Sequence, residues 1–306
     1  MTALAVFGRF FLTRFPLARY SIYVLLLPAA VQSTLATRDT PGGPLGPARA
    51  GHVAGLAGLL CVLLFMRVVD EIKDLDYDRV FNRDRPLVTG EVSLAAARTY
   101  LAGSAAPALV SAAAAGPGPV AAAAAIMAYS LFLLGLERLS PRFRDAMWGN
   151  IVVTVQLKTG VLLYAVLLAR TAGAAAPAGP SALTVSAFLL AYVSWEVARK
   201  TVREPFARPG EKLYSTAVGA TASVAVAAVL LLAACGCRVA VAASWQSWGT
   251  GWQCAFLLPP TALAWGWVRL RRGGERYAPG GPALLAYVVF LAVPVAHWAA
   301  TGRPVA

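Results

Sequence analysis

The sequence has few charged residues for its length. Only 13% of its 306 residues are Asp, Glu, Lys or Arg, which is about half the share found in a typical soluble domain. The hydrophobic share is 58%, and the mean hydropathy is +0.65. These values exclude an ordinary soluble domain and predict a protein that lies largely within a lipid bilayer.

Histidine and cysteine are also scarce. The two histidines are His52 and His297, and the four cysteines lie in or beside apolar segments. No cysteine has the spacing with histidine that a zinc site requires. The sequence therefore does not favour a zinc or redox centre, and we interpret the cysteines as small buried apolar side chains.

Apolar runs fill most of the chain, and no polar linker divides it. A membrane-spanning helix needs about 20 mostly apolar residues. Nine segments meet this requirement: 19–36, 51–70, 93–115, 118–137, 147–170, 180–200, 213–235, 251–269 and 280–300. The sequence therefore predicts an all-α membrane protein with about nine transmembrane helices in one bundle, a single domain over residues 1–306. Residues 1–18 are predicted to form an interfacial amphipathic segment.

The basic residues are distributed unequally between the two ends of these runs. Of the 27 Lys and Arg residues, 21 fall on the side that holds the N-terminus, five fall on the other side, and Lys158 lies within a span. The positive-inside rule places the basic side in the cytoplasm, with the C-terminus outside. The net charge of +13 thus reflects orientation in the cytoplasmic membrane, not binding to nucleic acid. Thirteen of the 14 acidic residues share the basic side, which indicates chemistry at that face.

An acidic cluster directly follows the second apolar run, between residues 70 and 78. If the helix continues, Glu71, Asp74 and Asp78 stand at i, i+3 and i+7 on one face, with Asp70 one turn from Asp74. Carboxylates this close repel one another and weaken a helix, and a bound cation removes the conflict. Hard oxygen ligands without His or Cys favour Mg²⁺. A solvated loop of acid–base pairs is the alternative interpretation.

Two arginines follow the acidic cluster. Arg83 and Arg85 are suited to pairing with phosphate oxygens, and Arg85 begins an Arg-Pro-Leu sequence with a glycine at position 90.

With these residues the sequence resembles the UbiA superfamily of intramembrane prenyltransferases. That family carries Asn-Asp-x-x-Asp-x-x-x-Asp and then Arg-Pro-Leu with a glycine. Here Asp70 takes the Asn position, and Glu71 takes the first Asp position. The resemblance spans essentially the whole chain and implies nine helices around a central cavity that opens to the cytoplasmic side. It also implies that Glu71, Asp74 and Asp78 hold Mg²⁺ against an isoprenyl diphosphate, with Asp70 in support.

A second polar cluster lies at the basic end of the sixth run, where the family has Asp-x-x-x-Asp. This chain has Glu196 and Lys200 in the corresponding positions, so its second motif departs from the family pattern. We predict that Glu196, Arg199, Lys200 and Arg203 lie on neighbouring turns of one helix. One acid then remains for metal, and three cations are available for diphosphate. Anchoring of the helix by positive charge alone is the alternative.

The fifth run contains polar residues, which usually face the protein interior or a cavity. Asn150 and Lys158 are the candidates for diphosphate binding there. For Lys158, a purely structural ion pair is an equally good interpretation.

These observations predict a Mg²⁺-dependent prenyltransferase that ionises an isoprenyl diphosphate in a dry apolar chamber and presents an unknown acceptor to the resulting cation. Because the second motif is altered, an intramembrane terpene cyclase that needs no acceptor stays open as an alternative. A transporter is a third interpretation, but it predicts ionisable groups near the membrane midplane and internal repeats. The charges instead collect at one face.

Overall fold

The computed structural model describes residues 3–36, 50–245, 250–273 and 276–301. These residues form helices, turns and bends and contain no strand, which confirms the predicted all-α class. The α-helices are α1 (Ala3–Arg14), α2 (Leu17–Ser21), α3 (Leu27–Leu35), α4 (Ala50–Lys73), α5 (Leu75–Phe81), α6 (Leu94–Ala115), α7 (Pro117–Leu139), α8 (Pro141–Asp145), α9 (Met147–Thr171), α10 (Ala178–Arg199), α11 (Tyr214–Val218), α12 (Ala220–Trp245), α13 (Thr250–Cys254), α14 (Leu258–Arg272) and α15 (Gly280–Thr301). A π-helical segment, Ile22–Leu26, joins α2 to α3.

Six of the helices in the described ranges are long and apolar enough to cross a membrane, namely α4, α7, α9, α10, α12 and α15. The other three predicted spans correspond to weaker candidates. The segment Ile22–Leu35 is apolar but short, α14 has 15 residues, and α6 is long but less apolar. The membrane character is thus confirmed, while the count of nine spans stays a prediction.

Most helix ends lie within three residues of the predicted ends, but two predicted spans are interrupted. The span predicted at 213–235 is a short helix, α11, followed after a turn at Gly219 by α12. The span predicted at 251–269 is divided into α13, a 3₁₀ turn at Ala255–Leu257, and α14. Hydropathy did not reveal these breaks because both sides of each break are apolar.

The described helices form two compact units, which we treat separately. The first unit comprises residues 1–26 and 48–146. Within it, α4 packs against α6 and α7, and α6 also packs against α7. Helix α1 also contributes to the core of this unit. Its Phe10 is buried together with Val68, Ile72, Val92 and Ala97.

The second unit comprises residues 27–47 and 147–306. Helix α10 lies at its centre and packs against α9, α12 and α15. The buried hydroxyl of Ser194 on α10 donates a hydrogen bond to the carbonyl of Ala227 on α12, at 2.7 Å. This bond ties the two helices together near the second polar cluster.

Candidate functional site

The acidic cluster sits at a break between two helices rather than on one continuous helix. Helix α4 ends at Lys73, Asp74 is the N-cap of α5, and its backbone angles are φ −87° and ψ 4°. The prediction of a single helical face depended on a continuous helix, and this condition is not met. Carboxylates are unfavourable at a helix C-terminus and favourable at an N-terminus. The break accordingly places Asp76 and Asp78 in the first turn of a new helix.

Glu71 is the most deeply buried acid of the cluster, with 1% of its side chain exposed. Its Oε1 accepts hydrogen bonds from Nε and Nη2 of Arg14, at 2.9 and 2.7 Å, and another from Arg67. Two guanidinium groups therefore balance one buried carboxylate. Its second oxygen, Oε2, is buried and accepts no hydrogen bond from any residue in the described ranges.

Asp78 is also buried and is held by residues that follow it. Asn82 donates to its Oδ1 at 2.8 Å, and Arg85 forms an ion pair with its Oδ2. Burial raises the pKa of Asp78 above its usual range, and the bonds from Asn82 and Arg85 oppose that rise. The pair of Asp78 with Arg85 is of the kind that the alternative interpretation, a loop of acid–base pairs, predicts, whereas Arg83 is exposed to solvent.

Lys73 lies between several acids of the first unit. Its ammonium is 3.2 Å from Glu137 on α7 and 3.7 Å from Asp70. Asp74 is partly buried beside these groups. Desolvation raises the pKa of Asp74 to about 6, helped by the charges of Asp70, Asp78 and Glu137 and opposed by Lys73.

The carboxylates of the acidic cluster are oxygen ligands of the kind that a hard cation prefers. In the described ranges, however, no group of three or more His, Cys, Asp or Glu side chains lies close enough together to hold a metal ion. Arginines instead balance Glu71 and Asp78. The unbonded Oε2 of Glu71 and the carboxylate of Asp74 are oxygen donors of the kind that Mg²⁺ prefers. The donor set is therefore suited to Mg²⁺.

The second polar cluster is centred on Glu196, which is buried at the end of α10. Its Oε2 accepts from Nε of Arg199 at 2.7 Å, and its Oε1 accepts from Nη2 of Arg199 at 2.8 Å. The ammonium of Lys200 lies 3.1 Å from Oε1. Both oxygens of Glu196 are thus engaged by cations, and the group of three carries a net positive charge.

Arg203 does not continue this helix, contrary to the prediction. Helix α10 ends at Arg199, Lys200 is its C-cap, and Arg203 precedes a 3₁₀ turn at Glu204–Phe206. The amide of Val202 donates to the hydroxyl of Ser215 at 3.0 Å, which holds the chain in its new direction.

Aromatic rings lie along α10 beside this cluster. The ammonium of Lys158 is 5.2 Å from the ring centre of Tyr192, and the guanidinium of Arg199 is 5.3 Å from that of Trp195. Trp195 stacks on Tyr287 of α15, with ring centres 6.0 Å apart. Lys158 therefore reaches an aromatic face, and Asn150 lies in the first turn of the same helix, α9.

The sequence prediction missed several members of these clusters. Arg14 and Arg67 on Glu71, Glu137 on Lys73, and Tyr287 on Trp195 were not assigned to the site. One signal was available for Arg67, because it stands four residues before Glu71, a spacing that favours ion pairs on a helix. No local pattern links Arg14 or Tyr287 to its partner.

The fold of this chain is similar to that of several solved structures. The sequence matches no protein-family model and no curated protein. Among solved structures, a UbiA homologue from Archaeoglobus fulgidus bound to DMAPP and Mg²⁺ matches with a TM-score of 0.61 and 17% identity. This match covers 91% of this chain and 96% of the other. The same homologue bound to GPP and Mg²⁺ matches with a TM-score of 0.58.

Two further structures agree with this result. A digeranylgeranylglyceryl phosphate synthase structure matches with a TM-score of 0.60 and 14% identity, covering 97% of this chain and 98% of that one. A UbiA homologue from Aeropyrum pernix K1 matches with a TM-score of 0.55 and 19% identity, covering 92% and 97%. The chain therefore has the fold of the UbiA homologues, as the motif resemblance predicted.

Proposed function

We propose that this chain is a Mg²⁺-dependent intramembrane prenyltransferase that cleaves an isoprenyl diphosphate and transfers the prenyl group to an acceptor. The proposal is supported by the pairing of Asp78 with Arg85 and by the electrostatic influence of Glu71 and Asp74 on the same region, on a fold shared with homologues that bind GPP or DMAPP together with Mg²⁺. The fold alone does not imply an activity, so the proposal depends on this site.

In the proposed reaction, the bond between C1 of the prenyl group and the diphosphate oxygen breaks. The electron pair leaves with pyrophosphate, and an allylic carbocation remains. A nucleophilic atom of the acceptor then forms a bond to C1 and releases a proton. Bound Mg²⁺ would stabilise the charge that develops on the leaving pyrophosphate, with Glu71, Asp74 and Asp78 as its ligands and Asp70 in support.

The chain's own cations supply the remaining charge stabilisation in this proposal. Arg85, which lies against Asp78, and Arg83, which is exposed, are proposed to bind diphosphate oxygens. In the second unit, Arg199, Lys200 and Arg203 are proposed for the same role because their charge exceeds that of Glu196. Asn150 and Lys158 remain proposed diphosphate contacts, and Glu196 a proposed metal ligand. Preorganised cations of this kind lower the barrier to forming an anionic leaving group.

The metal assignment is tested by a matched pair of variants. Asp74→Asn should abolish Mg²⁺-dependent pyrophosphate release, because it removes a ligand charge. Asp76→Asn makes the same chemical change on an exposed residue paired with Arg79 and should leave turnover within about twofold. Equal activity of both variants, in protein with a wild-type melting temperature, would remove Asp74 from the proposed site.

A terpene cyclase is the second candidate function. Two features of the second polar cluster support it. Both oxygens of Glu196 are engaged by cations, and the aromatic faces of Tyr192, Trp195 and Tyr287 lie close by. Aromatic faces stabilise cations. In a cyclase, the cation would be the allylic carbocation of the substrate, which is attacked by the substrate's own alkenes. Product analysis with and without lipid extract separates the two: product only with extract supports transfer, and a cyclic product without it supports cyclisation.

We further propose that residues 1–306 act as one membrane domain with the motif loops and N-terminus in the cytoplasm and the C-terminus outside. The excess of basic residues on the motif side supports this orientation. Labelling of single introduced cysteines with a membrane-impermeant reagent in intact cells tests it. Asp84→Cys should be protected and Arg303→Cys labelled; the reverse pattern would overturn the orientation.

A further inference from the structure

An apolar groove runs between α12 and α14 in the second unit. Its volume is about 340 Å³, and all nine of its lining residues are apolar, with Val224 and Trp267 at one end and Leu232 at the other. Eight residues separate Val224 from Leu232, so the groove extends about 12 Å along α12. Apolar cavities of ~150 Å³ already bind benzene, and this groove therefore has room for a longer stretch of hydrocarbon.

One end of the groove carries a cluster of positive charge. The last turn of α14 contains Arg269, Arg271 and Arg272. The guanidinium of Arg271 lies 4.8 Å from the ring centre of Trp267, which also lines the groove. This contact places the guanidinium at the end of the groove, and a contact with the ring face leaves its N–H groups available to an anion. Arg271 and Arg272 are exposed.

We propose that the groove and these arginines form a binding site for an anionic phospholipid. One acyl chain occupies the groove, and the headgroup phosphate contacts Arg271 and Arg272. Charge complementarity is the basis for this choice: neither arginine forms an ion pair with a residue in the described ranges. Basic residues at a membrane surface attract anionic lipids of the cytoplasmic leaflet, and this end of α14 lies on the side predicted to be cytoplasmic.

An isoprenyl diphosphate has a similar shape, with an anionic head and an apolar tail, but fits this site less well. It carries more negative charge than a phosphodiester, and the relatives bind it together with Mg²⁺. Glu211, on a loop of the same unit, forms an ion pair with Arg276 and accepts a hydrogen bond from Tyr277. The residues of the proposed site, which are the nine that line the groove and the arginines at its end, include no carboxylate that could hold Mg²⁺, and this suits a phosphodiester.

Quenching of tryptophan fluorescence by brominated lipid tests the proposal on the full chain. The protein is reconstituted into phosphatidylcholine bilayers containing phosphatidylglycerol, with bromine on the acyl chains of one lipid or the other. The difference between wild type and Trp267→Phe isolates the contribution of Trp267. We expect this contribution to be quenched several-fold more effectively by brominated phosphatidylglycerol than by brominated phosphatidylcholine, relative to their mole fractions.

Three substitutions sharpen the test. Arg271→Gln should reduce the preference for phosphatidylglycerol about fivefold, the effect of one basic residue near an anionic surface. The matched control Arg208→Gln removes an exposed arginine elsewhere in the same unit and should leave the preference unchanged. Ala228→Phe, which fills the groove, should weaken quenching by both lipids. The Arg271→Gln variant retains Trp267. Comparing its total tryptophan fluorescence with that of the wild type therefore provides a readout that does not depend on the Trp267→Phe variant.

Equal quenching by the two lipids would show ordinary bilayer contact and overturn the proposal. Displacement of phosphatidylglycerol by added geranyl diphosphate would also overturn it and would assign the groove to the substrate. Because no turnover is measured, these results are independent of whether the chain proves to be a prenyltransferase.

Discussion

Replacing Glu71 by glutamine should destabilise the protein, because it leaves two guanidinium groups without their shared counter-charge. Glu71 is 1% exposed, and Arg14 and Arg67 are 19% and 20% exposed. Removing one partner of a fully buried pair costs about 3–5 kcal/mol. Since water reaches about one fifth of each arginine, we expect a smaller loss, about 2 kcal/mol.

A loss of this size should lower the melting temperature of the detergent-purified protein by about 5 °C. Adding Arg14→Gln to Glu71→Gln should recover part of the loss, because it removes one of the unpaired charges; this coupling is measured by a double-mutant cycle. Asp76→Asn, at an exposed ion pair, serves as the control and should shift melting by less than about 1 °C. Melting of Glu71→Gln within 1 °C of wild type would refute the assigned pairing.

Three further outcomes are expected. Gly273→Ala and Gly90→Ala should lower the melting temperature by similar amounts: both glycines have positive φ, where a Cβ is strained, and the Arg203 guanidinium 2.5 Å from the new Cβ at Gly273 ends a flexible side chain that can move aside. The Mg²⁺ concentration for half-maximal turnover should be about tenfold higher at pH 5 than at pH 7, since the pKa of Asp74 is about 6 and only the carboxylate binds metal; an unchanged value would contradict this. Arg199→Gln should raise KM for the diphosphate about tenfold, with Arg208→Gln unchanged in the same steady-state assay.

The apolar pattern of the sequence predicted the helices well where an apolar run has polar ends. Helix α4 was predicted at 51–70 and runs over Ala50–Lys73, and α15 was predicted at 280–300 and runs over Gly280–Thr301. The pattern failed where the chain breaks within apolar or highly charged sequence. The break at Asp74 places Asp76 and Asp78 in the first turn of a new helix, where carboxylates are favourable, an effect that hydropathy does not include.

The two polar clusters could be located from the sequence, but many of the contacts that their residues make could not. Asp78 and Arg85 are seven residues apart, and their pairing follows from a local turn. Arg14 and Glu71 are 57 positions apart, and Lys73 reaches Glu137 on a different helix. Such pairs depend on how helices pack, and a single sequence contains no periodic signal for them.

The most direct test of the central claim is pyrophosphate release by the purified wild-type protein in detergent with geranyl, farnesyl or geranylgeranyl diphosphate. The release should require Mg²⁺, stop on addition of EDTA, and be accompanied by a prenylated or cyclised product. Absence of pyrophosphate release from all three substrates in correctly folded protein, with and without lipid extract, would contradict the proposed function.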